Sequence, residues 1–329
     1  MLDLIIDQCV SITITMPSLF LYILECWFIF RGRNNKYEGS FYRIFLLSAI
    51  NNIFINFLLT LFTFRLQTMS ALFALFLSIP SWAARIFFAL YYYNLHVESL
   101  LTLLILIHRL SAIVTPLQYE KVWKKLLPYV STMTFLFPLI FVYHIFFIEV
   151  CWTPYTTDGE EFIGLDYNHK AYPNAPSNSK LAFIISAIFL ILCLSMNVAI
   201  LAAYKRVNAK HGNANEHNAK IEFRLMLYAL LIFMIQAFVC IFWVAIYMFE
   251  FDDSLFTHII GHYILLNDLR AFVFPAWFLL WASSDIRKHV QKFVFCAKKM
   301  SQNASLMVNN GSAQKQIVPI KSVNVVTIR

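Results

Sequence analysis

Charge is scarce in this sequence: Asp, Glu, Lys and Arg supply 13% of 329 residues, against 60% hydrophobic ones. A soluble globular domain carries about 25% charged residues, so this composition argues against one. Glycine is scarce too. Six of the seven (Gly32, Gly39, Gly159, Gly164, Gly212 and Gly311) fall between apolar runs, where backbone freedom costs least, and only Gly261 lies inside one. The six cysteines stand singly, with no Cys-x-x-Cys or Cys/His cluster, so no metal site is expected. No H-E-x-x-H, G-x-S-x-G or P-loop pattern occurs, so an enzyme is not expected and nothing calls for a cofactor. The first eight residues hold Asp3 and Asp7 but no Lys or Arg, so the charged start of a cleavable signal peptide is missing.

What is present is long apolar sequence. About 20 such residues cross a bilayer as a helix, and seven segments reach that length: 9–30, 42–64, 86–107, 128–148, 181–204, 225–249 and 259–281. The fold expected is an all-α membrane protein, a seven-transmembrane helix bundle within one domain over 1–299. Met69–Ile79 is apolar but too short to span and ends at Pro80, so it reads as an outer loop or a half-helix packed on the bundle.

Lys and Arg set the orientation. They crowd the first connection (Arg31, Arg33, Lys36, Arg43), the third (Arg109, Lys121, Lys124, Lys125), the fifth (Lys205, Arg206, Lys210, Lys220, Arg224) and the end of the chain. Apart from Arg85, which opens the third span, the opposite connections hold only Arg65, Lys170 and Lys180. The amino terminus is therefore expected outside. The net charge of +8 reflects this topology, and no nucleic-acid partner is expected.

The longest outer connection, 149–180, is acidic, and its Thr157-Asp158-Gly159-Glu160 stretch suits a tight hairpin. It reads either as a plug over a ligand cavity or as a solvated loop. Cys9 and Cys151 both fall near the outer face, and a disulfide between them and two free thiols are both open readings. After Trp281, Ser284 or Asp285 can cap a helix over 285–299. Ile286, Val290, Phe293 and Val294 share one face, and Arg287, Lys288, Gln291 and Lys292 the other. Such an amphipathic eighth helix lies on the lipid of the inner leaflet. Cys296 at its end is a candidate for palmitoylation, against a free thiol. Residues 300–329 read as a disordered cytoplasmic tail.

Several polar residues interrupt the spans. Glu98 lies about 16 Å along a helix from Arg109, near mid-membrane if Arg109 marks the inner surface. Asp268 and Arg270 fall in the outer half of the seventh span, Arg85 opens the third, and Asn51, Asn52 and Asn56 line the second. In one reading these form an internal network, with Glu98 and Asp268 neutralising Arg270 and Arg85. In the other, some meet a ligand or change partners between two states. Glu25, near the inner end of the first span, is expected to snorkel. Phe87, Tyr91, Tyr92, Phe272 and Trp277 could line a site for a small amphipathic molecule or simply pack. Arg85 and Arg270 would suit an anionic head group. A retinal-type Schiff base is not expected, because 259–281 contains no lysine. A seven-helix ligand-gated channel subunit or transporter is the alternative class. Against it, no inverted repeat is visible, and an insect-type odorant channel would have its amino terminus inside.

Particular words carry a resemblance. They are Met16-Pro17-Ser18 with Leu21-Tyr22, Ser40-Phe41-Tyr42-Arg43, His108-Arg109-Leu110 with Pro116, and Tyr119-Glu120-Lys121-Val122-Trp123. Leu266-Asn267-Asp268-Leu269, Phe274-Pro275-Ala276-Trp277 and Ser284-Asp285-Ile286-Arg287 complete the set. In this order and spacing, over roughly 9–295, the chain resembles nematode serpentine chemoreceptors, most closely the gamma class and its superfamily, which are G-protein-coupled receptors. The resemblance implies a chemosensory receptor in the plasma membrane of a sensory cilium, binding a small molecule in the outer half of the bundle. Arg85, Tyr92, Asp268 and Arg270 are its candidate ligand contacts, with Glu98, Asn52 and Asn56 as switch or network. It implies that Arg109 meets a heterotrimeric G protein when the inner face opens, with Lys121 and Lys124 beside it. A receptor dimer is left open. His108 stands where rhodopsin-like receptors have an acid, and Leu110 where they have a tyrosine, so their ion lock does not carry over. Pro275 takes the place of the seventh-span proline without an Asn-Pro-x-x-Tyr word. Trp243 lacks a nearby proline, and the outer end of the third span lacks a cysteine.

Overall fold

Inside lipid a backbone has no water to bond with, so apolar runs of this length satisfy themselves as helices. The computed structural model describes residues 2–32, 37, 39–57, 61, 65, 66, 72–157, 160–167, 172, 178–211, 216–248 and 265–293. Among these, six helical stretches are long and apolar enough to cross a membrane: Cys9–Arg31, Ser81–Val114, Tyr119–Phe147, Lys180–Val207, Phe223–Phe242 and Leu265–Ala282. The second expected span is described chiefly as α2 (Ser40–Asn51) and a π-helical turn, Asn52–Asn56, and most of 58–64 falls outside the described residues.

Helix α1 covers Leu2–Arg31, and a short α3 covers Phe73–Ser78. The long α4, Ser81–Val114, is the axis, packing against α2, α7 (Asn178–His211) and α8 (Glu216–Met248). Its spanning window is 56% buried, against 22% for the Tyr119–Phe147 stretch at the periphery. That peripheral stretch starts at Tyr119, earlier than expected, as α5 (Tyr119–Leu136). It then breaks at Pro138 into α6 (Leu139–Val142) and a 3-10 stretch, Tyr143–Phe147. Helix α4 likewise outlasts its apolar run, so His108 and Arg109 sit inside a helix and are buried. The seventh span is described from Leu265, with a π-helical turn over Leu269–Val273 leading into α9 (Phe274–Ala282). Such turns disturb the regular backbone ladder. Here Asn52, in the other π turn, donates its amide to the Ala271 carbonyl at 2.9 Å.

The 149–180 connection forms the expected hairpin. Strand β1 (Val150–Thr157) pairs antiparallel with β2 (Glu160–Tyr167), closing at Thr157 opposite Glu160. It packs on the bundle. Trp152 meets Phe76 of α3 with ring centroids 4.8 Å apart, and Ser81 donates to the Val150 carbonyl at 2.8 Å. Phe88, Tyr92, Ile163 and Tyr167 join the same apolar cluster. Met69–Ile79 accordingly contributes a half-helix, α3, that buries Phe76 against the hairpin.

Of the two open readings at Cys9 and Cys151, the structure has the free, exposed thiols rather than the disulfide. On β1 side chains alternate, so burying Val150 and Trp152 turns Cys151 outward. Glu25 does not snorkel but is fully buried. Helix α1 runs on to Arg31, roughly 9 Å further along its axis, too far for a Glu side chain to follow. After Ser283, residues 284–293 are helical, which moves the cap one residue ahead of the expected positions. Cys296 and the tail 300–329 lie outside the described residues.

Candidate functional site

Two buried polar clusters share the seventh span. Asp268 and Arg270 are two residues apart, about 200° around a helix, so they face opposite neighbours. Asp268 turns to α1, where Ser11 and Thr15 stand on one face at i, i+4 spacing. Its Oδ2 accepts from the Ser11 hydroxyl and, at 3.1 Å, from that of Thr15. Its charge is met by Arg65, which also donates to Ser11 Oγ at 3.0 Å. This corrects the expected partner, Arg85. That residue sits near the N-terminal end of α4 and donates to the Phe146 carbonyl at 2.9 Å. Arg65 was missed because its place between apolar runs marked it only as a loop charge.

Arg270 turns the other way, toward α4 and α8, and pairs with Glu98. Its Nη1 donates to Gln236 Oε1 at 3.2 Å and its Nη2 to Asn267 Oδ1 at 2.6 Å. Glu98 Oε1 accepts from Asn94 at 3.2 Å, and Asn94 accepts from Asn51 at 2.8 Å, which ties in α2. One connected network thus links α2, α4, α8 and the seventh span. Sequence reasoning named Asn51 and Glu98 but missed Asn94 and Gln236. A lone amide in an apolar run has no periodicity to betray its partner.

Beside the Glu98–Arg270 pair lies a cavity of about 30 Å³, bordered by Ser48, Asn52, Thr102, Tyr228 and Gln236 as well as the pair. That is room for a water molecule or two, which need roughly 10–15 Å³ each by this measure. Asn52 Oδ1 and Arg270 Nε, both from lining residues, have no hydrogen-bond partner among the described residues. None of the five aromatics expected to line a site borders this cavity. Tyr92 is buried under the hairpin, and Phe272 is buried against Phe57. Trp277 is half exposed and donates to Ser18 Oγ at 3.0 Å. The Asn56 side chain lies outside the described residues.

Near the C-terminal end of α4, Arg109 is buried with its guanidinium 3.9 Å above the ring of Phe41. His108 bonds Ser40 at 2.7 Å and packs against Trp123 of α5. Lys121 and Lys124 are exposed on the first turns of α5. On the hairpin, burial together with the carboxylates of Asp166 and Glu149 raises the Cys151 thiol above its ordinary range. Burial and Asp166 do the same to the Tyr167 phenol.

Among the described residues no group of His, Cys, Asp and Glu could hold a metal ion. What the arrangement offers is two ion pairs facing opposite ways from the seventh span, one of them beside a small polar cavity, with the buried cation of Arg109 further along α4. A comparison with curated proteins finds no match. The model of the Srg family chemoreceptors matches residues 9–290, which takes in both polar clusters, the cavity and all of α4. On that match the chain belongs to the Srg family, serpentine chemoreceptors of nematodes.

Proposed function

We propose that this chemoreceptor binds a small molecule in the outer half of its bundle and passes the event to a heterotrimeric G protein. The observation that carries the reading is the Glu98–Arg270 pair, which joins α4 to the seventh span beside a polar cavity. Small-molecule pockets usually measure about 300–1,000 Å³, so a cavity of about 30 Å³ would have to widen to admit a ligand. A ligand that opens it must part α4 from the seventh span, and an anionic head group would do so by replacing Glu98 on Arg270. Arg85, at the outer face, would receive such a ligand first. Binding shifts the population only through better affinity for the open state.

The inner end of α4 then presents Arg109 to the G protein, with Lys121 and Lys124 flanking it. The amino terminus faces outward, and the helix over 284–293 lies with its basic face toward the headgroups of the inner leaflet. The plasma membrane, and by family the sensory cilium, is its site of action. The test is a small-molecule screen in a heterologous cell with a promiscuous G protein. Arg270→Ala should lose the response to any acid that activates the wild type while remaining at the cell surface. An intact response would remove Arg270 from the site.

A further inference from the structure

Helix α2 starts without a cap of its own, because its N-cap residue, Gly39, has no side chain to accept from the first free backbone N–H groups. A carboxylate from another helix takes that place. Glu120, in the first turn of α5, accepts from the Ser40 backbone N–H with Oε1 and from the Ser40 hydroxyl with Oε2, both at 2.8 Å. With its one proton committed to Glu120, the Ser40 hydroxyl must accept from His108, so Nε2 of His108 carries the hydrogen. The other ring nitrogen, Nδ1, has no hydrogen-bond partner among the described residues, which agrees with that tautomer. His108 is held on two sides by α5, with Trp123 at 5.0 Å and Tyr119 at 5.9 Å between ring centroids. Trp123 also donates to Ser111 of α4 at 2.6 Å. The residue after Ser40 is Phe41, the ring that carries Arg109 and that meets Tyr228 of α8 edge-on at 5.9 Å.

We infer that Glu120 is the positioning residue for Arg109, supplying from the start of α5 the acid that position 108 lacks. By capping α2 and orienting His108 through Ser40, it clasps the inner ends of α2, α4 and α5 with Arg109 folded onto Phe41. Opening the clasp frees Phe41 and lets Arg109 reach the inner face. An acid in a first helical turn needs no partner to be favourable. That role alone does not account for one carboxylate closing two bonds on a different helix whose own cap is missing. The inference rests on the G-protein reading above, and two readouts separate the two.

The first readout is alkylation of a cysteine placed at Gly39 in the full-length receptor. Among the described residues its Cβ would meet only Tyr42, at 3.9 Å, an ordinary contact. The second is ligand-free nucleotide exchange on a co-purified G protein. Losing a charge-assisted bond should raise both about tenfold in Glu120→Ala, and Glu120→Asp should restore much of the wild-type rate. Ser40→Ala, which keeps the charge and loses the bridging hydroxyl, should move both readouts in the same direction and serves if Glu120→Ala does not reach the membrane. Alkylation unchanged in these variants overturns the clasp. Faster alkylation with measurable but unchanged exchange overturns its link to Arg109. Faster alkylation with no exchange in any form, wild type included, supports the clasp and sinks the G-protein reading instead.

Discussion

Breaking the Glu98–Arg270 pair from its two ends should not cost the same. Both side chains are at most 8% exposed, and removing one partner of a buried pair typically costs about 3–5 kcal/mol because the other charge is stranded. A stranded carboxylate can take up a proton; a stranded guanidinium cannot shed one. Glu98→Gln should therefore sit near 5 kcal/mol and Arg270→Gln near or below 3, roughly 10 °C and 6 °C of melting temperature at about 2 °C per kcal/mol. In Glu98→Gln, Arg270 keeps Gln236 and Asn267 as acceptors, which moderates the loss without supplying a counter-charge. The double variant leaves no stranded charge and should melt above Glu98→Gln. Thermal unfolding of the detergent-purified chain, followed by a thiol-reactive dye or by intrinsic fluorescence, measures all three. If Arg270→Gln is the more damaging, or if the double variant loses the sum of the singles, the pair does not carry compensating charges.

Other outcomes follow from the same contacts. Asp268→Asn should remove the carboxylate that meets Arg65 and lower the melting temperature by several degrees, and an unchanged melt would show that the charge on Asp268 adds nothing to the Ser11–Thr15 contacts. Glu25→Leu should raise the melting temperature by a few degrees, since both buried carboxylate oxygens lack a partner among the described residues and an unsatisfied buried polar group costs about 1–3 kcal/mol; a fall would reveal a partner. Cys151 should react with an impermeant maleimide on intact cells, but slowly near neutral pH, because its raised pKa leaves less thiolate there and shifts the rise in rate to higher pH. Asp166→Asn removes one of the carboxylates responsible and should speed the reaction. A rate already at its plateau near neutral pH would contradict the shift, and recovery of Cys151 only in a disulfide-linked peptide would contradict the free thiol.

Six of the seven expected spans and the hairpin were legible because they depend on composition and on turn chemistry, which are local. Partners across the bundle were legible only in part. Asp268 could be seen to need a cation, but nothing near it in sequence points to Arg65, and Arg85 was the better-placed guess along the helix axis. The quoted words turn out to touch one another. Ser18 accepts from Trp277, Ser40 is held by Glu120 and His108, and His108 packs on Trp123. Each word looks arbitrary alone because its reason lies on a different helix. The cavity and the burial of Glu25 were beyond reach for the same cause: both depend on how helices close around a polar atom, and one helix's pattern does not record it.

The most direct measurement is ligand-free and agonist-driven nucleotide exchange on a panel of heterotrimeric G proteins by the purified full-length chain, beside Arg109→Ala at equal surface expression. Exchange on at least one G protein that Arg109→Ala abolishes is the predicted result. No exchange on any of them, or equal rates with and without the arginine, would contradict coupling through the inner end of α4.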